Sequence, residues 1–358
     1  MNHCLTMKNN KIAIIGTVGV PANYGGFETL VENLIGRDSI NYTVYCSAKN
    51  YKNKPKTYKN ANLVYLPFNA NGKSSVIYDL TSIIHSLFSR HDILLILGIS
   101  GAIFIPFVRL FFPKKKIIIN LDGIEWKREK WNGVAKNFLQ YSERIAVRNS
   151  HVLVADNLAI SNYIKEVYKK DSVVIEYGGD HALSEKEIAS DKLPFNVYSL
   201  SICRIEPENN IHLILKAFEE SNNNLIFIGN WDSSKYGVDL RKEFADYKNI
   251  LMLNPIYEFD KLNKFRQSCD IYIHGHSAGG TNPSLVEMMH FGKPIYAYDC
   301  DYNKETMDYY GKYFSSSHEL RDLINKKIDL NDGSILKQIA NKKYTWDIIY
   351  EKYKKLFI

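Results

Sequence analysis

The sequence predicts an α/β protein built from two doubly wound, Rossmann-like units. Three observations carry this expectation. Short apolar runs of strand length alternate with helical segments along the first half of the chain. The alternation then restarts at residues 198–203 (YSLSIC). In both halves a loop rich in Gly, Ser, Thr or Asn stands between a strand and a helix, where open parallel sheets bind their ligands. The 358 residues suit two domains at roughly 100–200 residues each. Apolar residues make up 45% and charged residues 24%, which excludes a disordered or collagen-like chain.

In chain order, residues 11–16 (KIAIIG) read as a strand. A loop (TVGVPANYGGFE) follows, and a helix begins over 29–34. Strands are expected at 42–46, 63–66, 93–97, 117–121, 152–155 and 172–175, with helices between several of them. Residues 93–112 (ILLILGISGAIFIPFVRLFF) carry a single charge and are long enough to span a bilayer. Gly98, Ser100 and Gly101 split this run, however. The left piece fits a buried parallel strand and the right piece a helix ended by Pro113. That helix is either fully buried or interfacial. In the second case Phe104, Phe107, Phe111 and Phe112 meet the membrane, with Arg109 and Lys114–Lys116 reaching anionic headgroups.

The second unit continues with a helix at 211–220 and strands at 225–229, 250–253 and 271–274. A helix at 283–291 and a strand at 294–298 follow. The boundary falls near 178–195, and an amphipathic helix closes the chain at 344–357. The expected organisation is an N-terminal domain over 1–180, a C-terminal domain over 181–340, and a terminal helix over 341–358 returning to the first domain.

Charge separates the halves. Residues 1–180 hold 23 Lys/Arg against 14 Asp/Glu (+9), and residues 181–358 hold 23 against 25 (−2). The basic half is expected to meet something anionic: nucleic acid, a membrane surface or a phosphorylated substrate. Five cysteines, with no C-x-x-C pair, argue against a zinc site or disulfide framework and fit a reducing compartment. The apolar run near the N-terminus is too short for a secretory signal, which disfavours secretion.

Four loops concentrate chemistry. In the first, Gly25 and Gly26 either let backbone amides approach a phosphate or simply form a tight turn; the spacing is not that of a dinucleotide fingerprint. In the second, Asp122, Glu125, Trp126, Arg128 and Trp131 follow a strand. Aromatic faces beside carboxylates suit sugar recognition, and the alternative is a solvated helix start capped by Asp122. In the third, Arg204 can pair bidentately with a diphosphate, while Glu208 and Asn209 near the helix start read as candidate caps. In the fourth, His276, Gly280, Thr281, Asn282 and Ser284 precede or open a helix with proline in its first turn, an anion site. Glu287 lies one turn inside, where it can accept from ribose hydroxyls. His274 and His276 lack a third ligand, so hydrogen bonding is favoured over metal.

These blocks resemble the GT-B glycosyltransferases, in particular the glycosyltransferase family 4-like group and its bacterial rhamnosyltransferase-like members, with a DUF1972-type N-terminal domain. Residues 15–29 read IGTVGVPANYGGFET, with Val18 where those proteins often have Arg. DGIEWKREKW (122–131), CRIEPENNIHLILKAF (203–218), GNW (229–231), GHSAGGTNPSLVEMMHFGKPI (275–295) and YTWDIIYEKY (344–353) also match. The resemblance implies two Rossmann-like domains facing a cleft and retaining transfer of a sugar from a nucleoside diphosphate. It assigns catalytic roles to Asp122, Glu125 and Arg204. It places donor contacts at Gly25, Gly26, Asn230, His276, Gly280, Thr281, Asn282, Ser284 and Glu287, and acceptor contacts at Trp126, Arg128 and Trp131. No metal or other cofactor is implied.

The chain departs from the wider family at three places: Gly279 stands where the first Glu of Glu-x7-Glu is usual, Asn209 where Lys is usual, and Asp122 where His is common. The leading expectation is transfer of L-rhamnose from dTDP-rhamnose to a polyprenyl-diphosphate-linked saccharide in surface polysaccharide synthesis. The protein would then be cytoplasmic and peripheral to the inner membrane face, with no nucleic-acid partner. Alternatives are a sugar-nucleotide epimerase of similar architecture and a degenerate transferase that scaffolds a membrane assembly.

Overall fold

Alternating buried and connecting segments become two units in the computed structural model, which describes residues 10–22, 25–121, 123–127, 131, 133–184 and 192–358. One unit comprises Met1–Ile175 with Asp347–Ile358, and the other Glu176–Trp346. The divisions therefore fall at 175/176 and 346/347, against 180/181 and 340/341 in the sequence reading.

The first unit runs β1 (Lys11–Ile15), α1 (Gly26–Leu34), β2 (Asn41–Ser47), β3 (Thr57–Tyr58), β4 (Ala61–Leu66), α2 (Ser75–Phe88) and β5 (Ile93–Leu97). It continues with α3 (Ile105–Phe111), β6 (Lys116–Leu121), α4 (Gly133–Asn149), β7 (Val152–Ala155), α5 (Leu158–Tyr168) and β8 (Val173–Val174). Among the described residues these strands form one eight-stranded sheet, ordered β3-β4-β2-β1-β5-β6-β7-β8. The sequence predicts parallel strands, and the pairs are parallel except β3 with β4, which is antiparallel. β3 has two residues and no apolar run, so no periodicity announces it. The central strands β1 and β5 are apolar and buried because a parallel sheet is covered on both faces. The strand order reverses between β1 and β5, so the loops after these two strands emerge side by side.

The apolar run 93–112 resolves as β5, a break at Gly98 (φ +89°), a 3-10 turn at Ala102–Phe104, and α3. Among the described residues no helix is long and apolar enough to cross a membrane. α3 is not wholly buried: Ile105 and Val108 face inward while Phe107, Leu110 and Phe111 are exposed. The rings of Phe104, Phe107 and Phe111 pack in succession, with centroids 4.7 and 4.4 Å apart.

The second unit runs β9 (Ser199–Ile202), α6 (Ile211–Glu219), β10 (Leu225–Ile228), α7 (Lys235–Glu243), β11 (Ile250–Leu253), α8 (Phe259–Ser268) and β12 (Ile271–His274). Then come α9 (Pro283–His290), β13 (Ile295–Tyr298), α10 (Asp301–Thr306), β14 (Lys312–Phe314), α11 (Ser317–Ile324) and α12 (Leu330–Lys343). Among the described residues its sheet is six-stranded and parallel, ordered β11-β10-β9-β12-β13-β14. Its reversal lies between β9 and β12, which places the 203–210 and 275–282 loops together. The core joins Ile214, Leu215 and Phe218 of α6 to Phe227, Trp231 and Ile273. Trp231, the Trp of the Gly-Asn-Trp block, is fully buried and donates its Nε1–H to the Leu253 carbonyl at 3.1 Å.

The last helix, α13 (Trp346–Phe357), starts at the final residue of the second unit, and its remainder belongs to the first. There, Asn120 Nδ2 donates to the Tyr353 hydroxyl at 2.7 Å, Asn10 Nδ2 donates to the Phe357 carbonyl at 2.7 Å, and the Tyr350 hydroxyl donates to Asp38. Tyr353 is fully buried, which accounts for the aromatic face of this helix.

The first unit has several buried acids, Asp79 among them. Asp79 on the inner face of α2 is 3% exposed, and burial pushes its carboxyl up to about 8, only partly offset by the Gly101 amide. A Cβ at Gly101 would lie 2.7 Å from that of Asp79, so glycine permits this close packing. The folded state holds the proton more tightly than the unfolded state. Stability from this group is full below the ordinary carboxylate value and is lost as pH rises toward about 8. Asp79→Asn should therefore raise the melting temperature at pH 8.5 by at least ~2 °C, with a smaller gain at pH 5. Thermal scans across pH check this; an equal shift at both pH values would contradict it.

Candidate functional site

In the second unit the loops after β9 and β12 are pinned to each other before any ligand is considered. Asn209, 3% exposed, donates from Nδ2 to the Arg204 carbonyl at 2.7 Å. Its Oδ1 lies 2.7 Å from His276 Nδ1. Because the amide nitrogen is committed to a carbonyl, Oδ1 is the acceptor and the His276 proton sits on Nδ1. Ser277 donates from both its amide and its hydroxyl to the Glu208 carbonyl at 2.9 Å. Gly275 makes the contact possible, since a Cβ there would lie 2.1 Å from the Asn209 carbonyl oxygen. The Arg204 side chain stays 47% exposed, with Glu206 at 3.9 Å. Asn209 occupies the usual lysine position but points inward as a pin, leaving Arg204 as the exposed cation of this loop.

The start of α9 is built as follows. Gly279 takes φ +117°, a conformation that strongly favours glycine, so a Glu there would be strained. Asn282 caps the helix: its Oδ1 accepts from the Ser284 amide at 3.0 Å and from the Ser284 hydroxyl at 2.8 Å. Its carbonyl accepts from the Leu285 and Val286 amides. The first amides of the helix, those of Ser284, Leu285 and Val286, are thus occupied. Thr281 is buried, and Ser284 Oγ also accepts from the Tyr272 hydroxyl at 3.3 Å. Asn230 is exposed just beyond β10, the neighbour of β9.

Glu287, one turn into α9, is largely buried and ion-paired with Arg266 of α8. Its other oxygen, Oε1, lies 3.4 Å from His181 Nε2. Burial works to raise the Glu287 carboxyl, but Arg266 and His181 outweigh it and hold it below its ordinary value. It is a carboxylate at neutral pH with lone pairs to spare for hydroxyl donors. Sequence reading misses both partners. Arg266 appears only as a charge within the buried stripe of α8, beside Asn263 and Phe265. His181 is over a hundred residues from Glu287 in sequence.

His274 is 2% exposed, and burial lowers its pKa to about 3, so it is neutral. Among the described residues no group of three or more His, Cys, Asp or Glu is placed to hold a metal ion.

In the first unit the 16–26 loop already holds an anion of its own. Glu28 Oε1 accepts from the Val18 amide at 2.7 Å and the Thr17 hydroxyl at 3.1 Å. Gly25 (φ +140°) is required by this carboxylate: a Cβ would lie 1.8 Å from Glu28 Oε2. Gly26 opens α1. After β6, Trp131 Nε1 donates to Glu125 Oε1 at 3.0 Å. Lys127 lies over the rings of Trp126 and Tyr163, 5.7 and 5.5 Å from their centroids. Glu143 of α4 accepts from the Tyr163 and Tyr168 hydroxyls at 2.7 and 2.6 Å. Asp122 and Arg128, two of the predicted site residues, lie outside the described residues. The donor-side residues Arg204, Asn230, His276, Gly280, Thr281, Asn282, Ser284 and Glu287 thus belong to one unit. Gly25, Gly26, Glu125, Trp126 and Trp131 belong to the other.

Residues 9–180 match the family described as a domain of unknown function (DUF1972), and residues 185–343 match Glycosyl transferases group 1. A search of curated proteins finds no match. Among solved structures, sucrose-phosphate synthase from Thermosynechococcus elongatus is similar, with a TM-score of 0.80 and 12% identity, covering 97% of this chain and 98% of that one. The catalytic domain of starch synthase IV from Arabidopsis thaliana, bound to ADP and acarbose, gives 0.67 at 12% identity over 97% and 98%. The E. coli trehalose-6-phosphate structure bound with UDP-2-fluoro glucose gives 0.69 at 11% identity over 97% and 98%. At these identities the likeness establishes a shared two-unit α/β fold.

Asn209 supplies a direct check on the site. Asn209→Leu removes both hydrogen bonds at similar volume and should cost about 1–3 kcal/mol, because His276 Nδ1 and the Arg204 carbonyl lose a buried partner. Asn209→Lys, which restores the wider family's residue, should cost at least as much, since it buries an ammonium. Urea unfolding measures both; a lysine variant of unchanged stability would contradict the inward placement.

Proposed function

The chain is a GT-B glycosyltransferase, a DUF1972 domain joined to a glycosyl transferases group 1 domain, and from that premise we propose that it moves L-rhamnose from dTDP-rhamnose, with retention, onto a polyprenyl-diphosphate-linked saccharide. The observation that carries the donor side is the paired loops at the strand-order reversal of the second unit. An exposed guanidinium (Arg204), a glycine-rich 279–282 loop and a buried carboxylate (Glu287) stand there on elements fixed by Asn209 and Asn282. The rhamnose assignment rests on the resemblance of residues 15–29, 122–131, 203–218 and 275–295 to rhamnosyltransferase-like proteins.

In this reading Arg204 and the 279–282 loop hold the diphosphate, and Glu287 accepts from the nucleoside's sugar hydroxyl. The bond between the sugar's anomeric carbon and the β-phosphate oxygen breaks, and its electron pair leaves with the diphosphate. The acceptor hydroxyl attacks the same face of an oxocarbenium-like centre, and its proton passes to a β-phosphate oxygen. No enzyme nucleophile is needed. The protein's task is positioning and charge stabilisation, and the guanidinium is the main source of the latter. No metal is assigned a part. Glu125, Trp126 and Trp131, with Asp122 and Arg128, would orient the acceptor's hydroxyls and rings.

The first unit would lie on the anionic inner leaflet through α3. Phe107, Leu110 and Phe111 are exposed beside Arg109, Lys114 and Lys116, and aromatic groups flanked by cations suit a headgroup boundary. Lys115 is less available, as its ammonium donates to the His91 carbonyl.

Incubation with dTDP-rhamnose and a synthetic polyprenyl-diphosphate-linked sugar should add one deoxyhexose to the acceptor, read by mass spectrometry. Turnover with another nucleotide sugar and none with dTDP-rhamnose would overturn the donor assignment. Arg204→Ala and Glu287→Ala should each lower the rate at least ~100-fold, far more than Glu208→Ala. Lys114→Ala with Lys116→Ala should weaken sedimentation with anionic vesicles about tenfold and leave dTDP binding unchanged. Unchanged sedimentation would return these lysines to simple solvation.

A further inference from the structure

The surroundings of Glu287 contain a series of polar contacts, one hydrogen bond and one ion-pair contact, that the transfer mechanism does not use. It begins at Trp346, the first residue of α13. The indole Nε1 donates to His181 Nδ1 at 2.9 Å. Indole N–H can only donate, so His181 Nδ1 must be its unprotonated nitrogen. In the neutral ring the single proton therefore sits on Nε2, the nitrogen that faces Glu287 Oε1 at 3.4 Å. Trp346 thus selects the tautomer of His181 that can donate to Glu287.

The series is rigidly seated. The Trp346 amide donates to Asp180 Oδ1 at 2.8 Å, and the Gly179 amide donates to the Tyr344 carbonyl at 2.8 Å. A Cβ at Gly178 would lie 2.5 Å from the indole, so the ring rests on bare backbone. A Cβ at Gly179 would lie 2.7 Å from the Glu287 amide nitrogen, so the His181 turn lies directly against α9. Asn263 of α8 donates to the Ala182 carbonyl and ties the same turn to the helix that carries Arg266. Glu287 is therefore gripped from two sides: Arg266 takes one carboxylate oxygen and His181 the other. Fixing both oxygens fixes the plane of the carboxylate, and with it the direction of the lone pairs left for a ligand.

We propose that His181, its tautomer set by Trp346, is a positioning residue that aims the Glu287 carboxylate at the sugar hydroxyl of the donor nucleoside. The inference rests on the reading that Glu287 accepts from that hydroxyl, and the test separates the two. Arg266 supplies charge; His181 supplies direction.

Titration calorimetry of the intact protein with dTDP and with 2′,3′-dideoxythymidine diphosphate, which lacks the 3′-hydroxyl, reads the contact as a ratio of affinities. Wild-type protein should bind dTDP about 10–100-fold more tightly, as for a hydrogen bond to a charged group. His181→Phe should cut the ratio to below about threefold while leaving dideoxynucleotide affinity within about twofold. His181→Gln, whose amide nitrogen reaches close to the place of Nε2, should keep most of the ratio. Trp346→Phe, which removes the donor to Nδ1, should give an intermediate ratio. A merely structural role for His181 would weaken both ligands alike and leave the ratio unchanged, so that result overturns the inference, as does a full ratio in His181→Phe. No discrimination by wild-type protein overturns the Glu287 reading on which the inference stands.

Discussion

A carboxylate taken out of water must be paired, and both units are shaped by meeting that demand at the ends of their central strands. In the first unit Glu28 turns back into the loop after β1 and takes the Val18 amide and the Thr17 hydroxyl. Gly25 has no side chain because the carboxylate fills the space one would need. In the second unit Glu287 enters from α9 and is met by Arg266 and His181, and Gly179 lets the His181 turn reach the helix backbone. The same requirement has opposite consequences. Glu28 is consumed by its own loop. Glu287 is held by flanking side chains and keeps accepting capacity.

The departures from the wider family follow from this construction. Gly279 holds a backbone angle that opposes a carboxylate-bearing side chain, and Asn209 holds two loops together from inside. The diphosphate would be met by one exposed arginine and a glycine-rich loop in place of an arginine and lysine pair. Arg204 must then do more of the neutralisation than its counterpart in relatives that keep the lysine.

Much of the fold is legible in the sequence because strand-length apolar runs are local features. Residues 93–97, 152–155, 250–253 and 271–274 are strands over the same limits that their apolar runs define. The 93–112 run divides at Gly98, where the backbone takes a positive φ. The β3 strand is illegible: two polar-leaning residues pair antiparallel with a neighbour and bury little. The candidate loops are legible by their position after strands, but their internal wiring is not. Gly25 reads as room for a phosphate or as a tight turn, and in the structure the space a side chain would need is filled by Glu28. Asn282 reads as part of an anion site, and in the structure its side chain caps α9. His181 and Arg266 escaped altogether because they pair with Glu287 across long stretches of chain, and no spacing rule links them.

The central claim is that the second unit grips a nucleoside diphosphate chiefly through Arg204. Calorimetric titration with dTDP and dTMP tests it most directly, because the two ligands differ only in the phosphate the arginine would hold. Wild-type protein should favour dTDP by at least about tenfold, and Arg204→Ala should bind the two within about threefold of each other. An arginine variant that kept the full preference for dTDP would contradict the claim and move the diphosphate to another part of the chain.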